Sequence, residues 1–368
     1  MKIVHIVPTI SIGGLQKFAL DLSNTLNKMN HEVHIIILDK ERDDDMSQFF
    51  SKGVSQHYIY NNEKRIDVSL FKKIYKLVHK IKPNIIHTHG ISLLYSALLI
   101  IFSNFNFIHT VHNLAQNESG KVRRHINKIF FKYFEVLPVA ISDEVRQSIL
   151  SYYSLNSVVK IDNGLTKPEK TNKYLDVVKF ISKIKTTPDT KVLINVGRVD
   201  GQKNQKLLID SYIKLKQKGY KLVLIIVGQT GGSGNTFFNE LKGYVSSDDV
   251  YFIGTVDNVV DYLLCSDIFC LSSKFEGLPI SLLEAMSVGL IPSCTPAGGI
   301  ISVLNNKYGY VSDNFSTDSY VKSLENSILN TKHISSQKLV DLFDNNYDMK
   351  ICATSYVKEY KNRVDKRL

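Results

Sequence analysis

Short apolar runs alternate with amphipathic helical stretches along almost the whole chain, and this pattern limits the possible folds more than any other feature. In the first half, the strand candidates are "KIVHIV", "EVHIIIL", "NIIHTH", "FIHTV" and "LPVAIS". Helical patterns such as "GLQKFALDLSNTLNKM" and "SLFKKIYKLVHKIK" lie between them. Because apolar strands separated by helices are typical of a sheet buried on both faces, the alternation predicts a doubly wound parallel α/β sheet.

The alternation is interrupted once, which predicts two domains. A polar stretch with Pro168 and Pro188 near its edges is interpreted as a linker containing a short helix. Strand candidates then return as "KVLINVG", "KLVLIIVG", "VYFIG", "IFCLSS" and "LIPSC". The predicted parts are an N-terminal Rossmann-like domain, a linker, a C-terminal Rossmann-like domain and a C-terminal helix packing back on the first domain, over residues 1–165, 166–189, 190–345 and 346–368. Two such domains are expected to face a central cleft at the carboxyl ends of their strands.

The net charge and the composition limit the class of binding partner and the cellular location that we expect. The net charge of +11 implies an anionic partner, which is a nucleotide, a nucleic acid or an acidic membrane surface. The most apolar stretch, "ISLLYSALLIIFSNFNFI", has an apolar core shorter than the ~20 residues of a membrane span. The start, "MKIVHIVPTI", lacks the long apolar region of a signal peptide, so we expect a cytoplasmic protein. The four cysteines show no zinc-site spacing.

Two glycine-containing turns follow predicted strands. Gly13 and Gly14 lie where the first strand passes into a helix, so a ligand could approach the backbone and an anion could meet the helix N-terminus. A plain tight turn is the alternative. In the second half, Arg198 and Lys203 in "VGRVDGQKN" lie between a strand and a helix. Two cations at this edge of a sheet predict a clamp for a diphosphate, and solvated loop charges are the alternative.

The segment "FEGLPISLLEAMSVG" carries two carboxylates eight positions apart. Pro279 suits the first turn of a helix, which places Glu276 in the loop before the helix and Glu284 inside it. If this stretch were wholly helical, eight residues would span ~12 Å. Such a separation exceeds the roughly 5–9.5 Å between two carboxylates that share one anomeric carbon. It fits two contacts on one elongated ligand, such as a nucleotide sugar, whose hydroxyls can donate to carboxylates.

These motifs resemble glycosyltransferase family 4. "FEGLPISLLEA" looks like the E-x7-E motif of retaining glycosyltransferases with the GT-B fold, which has two Rossmann-like domains. "VGRVDGQKN", "VGQTGG", "YFIGTV" and the amino-terminal "IGGLQ" follow the family's order and spacing over nearly the entire chain. The motifs of the second half are the more specific ones.

The resemblance implies a role for each matching residue. Arg198 and Lys203 match the pair that holds the donor diphosphate and stabilises the leaving group. Glu276 matches the glutamate that contacts the donor sugar, and Glu284 the one that binds the ribose hydroxyls. Three residues match contacts along the phosphates and the sugar of the donor: Gly277, Leu278 and Pro279. Gly13 and Gly14 match the loop of the other domain that closes over the diphosphate. Val256 lies where the family contacts the nucleobase through its backbone.

Several histidines cluster at predicted strand ends. His112 in "HTVHN" is similar to a family histidine near the reacting sugar; a histidine satisfied by neighbouring backbone is the alternative. His87, His89 and His109 also lie at the ends of predicted strands. His87 and His89 are two positions apart, a spacing that could suggest a metal site. The resemblance implies metal-independent chemistry, so we expect neither a metal nor a cofactor.

The resemblance thus implies a retaining hexosyltransferase that uses a UDP- or GDP-sugar and a glycan or lipid-linked glycan acceptor, in bacterial surface polysaccharide or lipid-linked oligosaccharide assembly. Basic amphipathic stretches near residues 72–82 and 121–134 would suit an anionic membrane surface; basic helix faces in solvent are the alternative. A nucleotide-sugar epimerase and a non-catalytic nucleotide-binding subunit remain open. Nucleic acid is not expected as a partner, because no reading module is present.

Overall fold

The computed structural model describes residues 1–40, 45–59, 67–118, 120–230, 236–245, 249–305, 307–329 and 334–366 of the chain. The glycines of "VGQTGG" at positions 231 and 232 lie outside the described residues. The chain forms two compact units. Unit 1 comprises Met1–Thr166 and Tyr347–Leu368, and unit 2 comprises Lys167–Asn346.

Unit 1 is built on a seven-stranded parallel sheet with the strand order β3-β2-β1-β4-β5-β6-β7. The strands are β1 (Lys2–Val7), β2 (Glu32–Ile37), β3 (Val54–Tyr58), β4 (Ile85–His89), β5 (Asn106–Val111), β6 (Leu137–Ala140) and β7 (Val159–Lys160). The helices are α1 (Gly14–Lys28), α2 (Val68–Ile81), α3 (Ser92–Tyr95), α4 (Ala97–Phe102), α5 (Ala115–Glu118), α6 (Lys121–Tyr133) and α7 (Asp143–Tyr153), and Ser47–Phe49 form a 3₁₀ turn.

Unit 2 is built on a six-stranded parallel sheet with the strand order β10-β9-β8-β11-β12-β13. The strands are β8 (Lys191–Val196), β9 (Leu222–Val227), β10 (Val250–Gly254), β11 (Ile268–Leu271), β12 (Ile291–Cys294) and β13 (Tyr310–Val311). The helices are α8 (Tyr174–Ile184), α9 (Gln205–Gln217), α10 (Thr236–Tyr244), α11 (Val259–Leu264), α12 (Ile280–Ser287), α13 (Ile300–Leu304), α14 (Thr317–Leu329) and α15 (Ser336–Asn346). A last helix, α16 (Met349–Asp365), groups with unit 1.

Hydrophobic burial explains why these segments form strands and helices. Every residue of β9 is buried, as are five of the six residues of β1. Strands of this kind need a helical layer on each face of the sheet. Helix α2 supplies such a layer: Leu70, Ile74, Val78 and Ile81 recur on its buried face. Asp67 caps this helix by accepting the backbone N–H of Ser69. The predicted pair of doubly wound parallel sheets is confirmed.

Three strands of the two sheets were not predicted, namely β3, β7 and β13. Each is the last strand at one edge of its sheet. Two of them are two residues long, and β3 has the polar sequence "VSQHY", in which only Val54 is buried. These three edge strands cover little of the core, so their sequences lack the apolar runs by which the other strands, including the edge strand β10, were found.

The segment 166–189, predicted to be a linker, folds with unit 2 from Lys167 onwards. The backbone N–H and the hydroxyl of Thr171 both donate to the carboxylate of Asp261, which lies in α11. In unit 1, Gly164 lies against Met349 and Cys352 of α16, where a Cβ at position 164 would stand 2.6 Å from the Cβ of Cys352.

Each sheet has one point at which the strand order reverses. In unit 1 this point lies between β1 and β4, and in unit 2 between β8 and β11. Doubly wound sheets bind ligands outside the carboxyl ends of the strands at such a point. Within the described ranges, no helix is both long enough and apolar enough to cross a bilayer.

Candidate active site

The loop after β8 is organised by Asp200. Its Oδ1 accepts the backbone N–H groups of Gln202 at 3.0 Å and Lys203 at 2.9 Å. Asn204 takes a left-handed conformation with φ 51° and ends the loop at the start of α9. An aspartate that accepts hydrogen bonds from residues two and three positions on is a common turn device. The turn therefore fixes Lys203 directly before the helix.

Lys203 forms a short ion pair with Glu276. Its Nζ lies 2.6 Å from Oε1 of Glu276, and the two side chains are only 15% and 7% exposed. Side chains also tie the two loops together, because the amide of Gln202 donates to the carbonyl of Phe275 and the hydroxyl of Ser272 donates to the carbonyl of Lys203. The loops after β8 and β11 are thus held together at the reversal point of the sheet.

Arg198 lies on the same loop in a different environment. Its side chain is 62% exposed, and its guanidinium lies 3.1 Å from the carboxylate of Asp200. Its carbonyl accepts a hydrogen bond from Gln205 in α9. An exposed ion pair contributes little to stability, so the guanidinium can exchange Asp200 for another anion at small cost.

The segment after β11 packs tightly against the loop after β12. Glu276, Gly277, Leu278 and Pro279 are all buried. The backbone N–H of Gly299 donates to the carbonyl of Gly277 at 3.0 Å. Gly298 has φ +55°, and a Cβ there would collide with the carbonyl of Glu276. Only glycine accommodates both the left-handed conformation and this approach, so Gly298 helps to fix the Glu276 backbone.

Helix α12 begins at Ile280, one residue after Pro279. Pro279 is the N-cap residue with φ −71° and ψ 126°, and its missing N–H leaves no unsatisfied donor there. Glu284 is the fifth residue of the helix and is half-buried. Val256 is half-buried in the loop between β10 and α11. The predicted site residues of unit 2 therefore all lie beyond the carboxyl ends of β8, β10 and β11.

In unit 1, Gly13 and Gly14 lie at the start of α1. Gly14 is the first helical residue and Gly13 the N-cap residue. The φ of Gly13 is 176°, which any residue adopts, so backbone conformation does not require glycine there. A Cβ at Gly13 would stand 2.5 Å from Oε1 of Gln16. The glycine therefore lets the side-chain amide of Gln16 lie close to the backbone at the start of α1.

His112 follows β5 and is half-buried. Its Nε2 lies 3.0 Å from Nδ1 of His89. Its backbone N–H donates to Oε2 of Glu118 at 2.6 Å, and the N–H of Asn113 donates to the same oxygen at 3.2 Å. Burial lowers the pKa of His112 to about 4, against the opposing charge of Glu118. His112 is therefore neutral near pH 7.

Three further histidines of unit 1 could in principle hold a metal ion. One nitrogen from each of His5, His87 and His89 lies within 4.8 Å of the others. Both nitrogens of His87 are already engaged, however, at 2.7 Å from the hydroxyl of Tyr360 and 2.7 Å from that of Thr110. At least one of these two hydrogen bonds would have to break before His87 could bind a metal.

The two halves of the chain match two different models of glycosyltransferase families. The family described as "Glycosyltransferase Family 4" matches residues 12–166, and "Glycosyl transferases group 1" matches residues 177–340. This chain belongs to the GT-B glycosyltransferases of the family 4 type. The family assignment made from "FEGLPISLLEA" and its companion motifs is thereby confirmed.

Relatives of this glycosyltransferase match it over most of their length. The capsular polysaccharide biosynthesis glycosyltransferase CapH of Staphylococcus aureus is 25% identical over 77% of this chain and 78% of its own. The UDP-Gal:alpha-D-GlcNAc-diphosphoundecaprenol alpha-1,3-galactosyltransferase of Escherichia coli is 24% identical over 88% of this chain and 87% of its own. Anabaena HepE, solved in complex with UDP and glucose, superposes with a TM-score of 0.83 at 14% identity, covering 98% of this chain and 99% of its own.

Sequence reasoning missed several residues that shape the site of this glycosyltransferase. Asp200 and Gly298 hold the loops that carry Lys203 and Glu276, and Glu118 holds the backbone of His112. A signal existed for Asp200, because "DGQK" is a typical turn sequence. No recognised turn sequence marks Glu118, and the partner of Gly298, the carbonyl of Glu276, lies on another loop.

Proposed function

We propose that this glycosyltransferase moves a hexose from a UDP- or GDP-sugar to an acceptor hydroxyl, with retention of the anomeric configuration and without a metal ion. The observation that carries the proposal is the buried Lys203–Glu276 pair at the strand-order reversal of unit 2. The ammonium of Lys203 can bind a diphosphate, and the carboxylate of Glu276 can accept hydrogen bonds from sugar hydroxyls. Because the two groups lie side by side, they fit a ligand in which a diphosphate is joined to a sugar. The UDP-Gal in the name of the E. coli relative and the UDP and glucose bound to HepE support this donor class.

Each candidate residue takes a part in this proposal. Lys203 and Arg198 bind the diphosphate, and Glu276 accepts hydrogen bonds from sugar hydroxyls. Glu284 accepts from the ribose, and His112 contacts the reacting sugar. The backbone contacts to phosphates, sugar and base are assigned to Gly13, Gly14, Gly277, Leu278, Pro279 and Val256.

The bond to be broken joins the anomeric carbon to the phosphate oxygen. As it lengthens, negative charge grows on the nucleoside diphosphate, and Lys203 and Arg198 would stabilise that charge; one such donor can contribute roughly 3–4 kcal/mol. The acceptor oxygen forms the new bond on the same face of the sugar. Its proton passes to the leaving phosphate, so no protein nucleophile is assigned. Glu276 holds the sugar hydroxyls while positive charge develops on the ring.

A thermal-shift screen tests the donor class. UDP, GDP, ADP and their sugars are each added at a saturating concentration. A ligand at 100 times its Kd stabilises the folded protein by about 2.7 kcal/mol, so UDP or GDP is expected to raise the Tm clearly. Uridine and guanosine are the controls, because they lack the diphosphate that Lys203 and Arg198 would bind. A Tm unchanged by every nucleotide would contradict the proposal.

An epimerase of the same fold would also bind a nucleotide sugar. Incubation with the donor alone separates the two activities, because an epimerase converts the donor without an acceptor. We expect no isomerised sugar nucleotide to form.

The proposed acceptor is a glycan or a lipid-linked glycan of a bacterial surface polysaccharide. The names of CapH and of the diphosphoundecaprenol galactosyltransferase support this class. An enzyme with such an acceptor would work in the cytoplasm on the inner face of the membrane.

Helix α6 offers a surface for that membrane. Its exposed apolar residues Val122, Ile129 and Tyr133 are spaced by seven and four positions, so they form one stripe along the helix. Lys121 and Lys132 are exposed at its two ends. An apolar stripe with lysines beside it suits the interface of an anionic bilayer. The exposed lysines of α2, Lys72, Lys73, Lys76 and Lys80, would add electrostatic attraction.

Liposome co-sedimentation tests the membrane proposal. The protein is expected to sediment with phosphatidylglycerol vesicles at low salt and less with neutral phosphatidylcholine vesicles. The double substitution Ile129→Ser and Tyr133→Ser should reduce sedimentation several-fold, because both side chains leave water on binding. Leu329→Ser, which changes an exposed leucine of α14 in unit 2, is the matched control. Equal sedimentation of all variants would remove α6 from the proposal.

A further inference from the structure

Three imidazoles of unit 1 form a continuous chain, which we call the histidine relay. It consists of His5 in β1, His89 at the end of β4 and His112 after β5. Nδ1 of His5 lies 3.2 Å from Nε2 of His89, and Nδ1 of His89 lies 3.0 Å from Nε2 of His112. The ring centroids are 5.5 Å and 5.2 Å apart. Neighbouring strands hold His5 and His89 side by side, since His5 pairs in register with His87.

The two ends of the relay differ. At the inner end, Nε2 of His5 is buried and has no hydrogen-bond partner among the residues that the structure describes. At the outer end, Nδ1 of His112 makes no hydrogen bond to the described residues, and the His112 ring is half-buried. The relay therefore connects a buried nitrogen without a partner in the described part of the chain to a half-buried nitrogen that a ligand can reach.

All three rings are neutral near pH 7. Burial lowers the pKa of His5 to about 3, that of His112 to about 4 and that of His89 well below its usual value. A neutral imidazole carries one N–H and one lone pair. Each hydrogen bond in the relay then dictates the tautomer of the next ring. Only two fully bonded arrangements exist: all three protons on Nε2, or all three on Nδ1.

The unpartnered nitrogen of His5 distinguishes these arrangements. With the protons on Nε2, His5 would bury an N–H without an acceptor, and orphaned buried N–H groups are rare. With the protons on Nδ1, His5 buries only a lone pair, and an acceptor left without a partner is less rare than an N–H left without one. We propose that His5, His89 and His112 all carry the proton on Nδ1, so that the relay presents His112 Nδ1–H as a hydrogen-bond donor.

This arrangement assigns a definite role to each histidine. His112 donates Nδ1–H to an oxygen of the ligand and cannot serve as a base, because Nε2 accepts the proton of His89. His89 is a positioning residue that sets the tautomer of His112. The use of the donor in glycosyl transfer depends on the proposed function, in which the oxygen belongs to the sugar nucleotide. The tautomer itself does not depend on it.

Long-range ¹⁵N–¹H correlation spectra of the ligand-free protein labelled at its histidines test the proposal. Substitution of each relay histidine in turn assigns the signals of the three rings. The expected result is a pyrrole-type Nδ1 and a pyridine-type Nε2 for His5, His89 and His112 near pH 7. A pyrrole-type Nε2 or an imidazolium pattern for His112 would overturn the proposal.

Two matched variants separate the relay from simple packing. His89→Phe keeps a buried ring but removes the donor to His112, so His112 should lose its exclusive Nδ1–H tautomer. His5→Phe moves the unpartnered lone pair to Nε2 of His89 and should leave His112 protonated on Nδ1. An unchanged His112 spectrum in His89→Phe would show that the relay does not set the tautomer.

Activity measurements test the use of this donor separately. The amide nitrogen of asparagine can replace Nδ1–H, whereas that of glutamine reaches the position of Nε2. His112→Asn is therefore expected to retain about fivefold to tenfold more donor turnover than His112→Gln, the value of one hydrogen bond. If the spectra are as expected but both variants are equally active, the tautomer assignment stands and the contact with the donor is overturned.

Discussion

Replacement of Lys203 by alanine is expected to reduce donor turnover by about 100-fold to 1,000-fold, the range seen when one preorganised donor to a developing negative charge is removed. Lys203 is the most firmly placed cation of the candidate site, because the Asp200 turn fixes its backbone and Glu276 holds its Nζ at 2.6 Å. Nucleotide affinity should fall as well, since the ammonium would contact the diphosphate in the ground state. Steady-state kinetics and calorimetric titration with UDP or GDP measure the two effects.

The same substitution has a predictable effect on folding. It leaves Glu276, whose side chain is only 7% exposed, without the ammonium of Lys203. Removal of one partner from a buried pair costs about 3 kcal/mol, so the Tm should fall even without ligand. Lys203→Arg keeps the charge and should recover most of this stability. Activity losses must therefore be compared at a temperature where both variants are folded.

Lys206→Ala is the matched control for Lys203→Ala. Lys206 lies three residues further along, in α9, and pairs with Asp210 on the helix surface. An exposed pair of this kind contributes at most about 1 kcal/mol, so turnover and affinity should stay within about twofold of wild type. If Lys203→Ala behaves like this control in both measurements, the diphosphate clamp is assigned to the wrong residue.

Glu276→Gln is expected to abolish most glycosyl transfer while nucleotide binding is partly kept. Glutamine has nearly the same shape, and its carbonyl oxygen can still accept from Lys203, so the loop should remain folded. The substitution removes the negative charge that would hold the sugar hydroxyls as positive charge develops on the ring. Hydrogen bonds to a charged group contribute about 1.5–3 kcal/mol, or about one to two orders of magnitude in rate. The measurement is kcat for transfer beside the Kd for UDP or GDP.

Glu325→Gln is the control for charge removal alone. Glu325 lies on α14 and pairs with Lys218 and Tyr220 at the surface of the same unit. Transfer activity equal to wild type is expected for this variant. Wild-type transfer in Glu276→Gln itself would support the alternative in which Glu276 is only a structural partner of Lys203. Because the two residues touch, the effects of Lys203→Ala and Glu276→Gln should not add in the double variant.

In the candidate site, local sequence patterns predicted the positions of residues along the chain but not the contacts between distant residues. Glu276 and Pro279 could be placed before α12 because a proline starts the helix and the apolar run continues it. The pairing of Glu276 with Lys203, 73 positions away, could not be read from either segment. It depends on β8 and β11 being neighbours, and the alternation of strands and helices does not specify strand order. The cation and the carboxylate were each predicted, but their contact was not.

The sequence by itself determined the two parallel sheets, the positions of all but three of their strands and the loops that carry the charged residues of unit 2. These features follow from apolar runs, glycines and prolines, which act through residues close in the chain. Only the tertiary structure decided the edge strands β3, β7 and β13, the Lys203–Glu276 pair and the histidine relay. These three edge strands bury too little surface to need an apolar sequence, and the relay joins His5 to His89 across 84 positions. Contacts of this kind exist only after strand order has brought distant segments together.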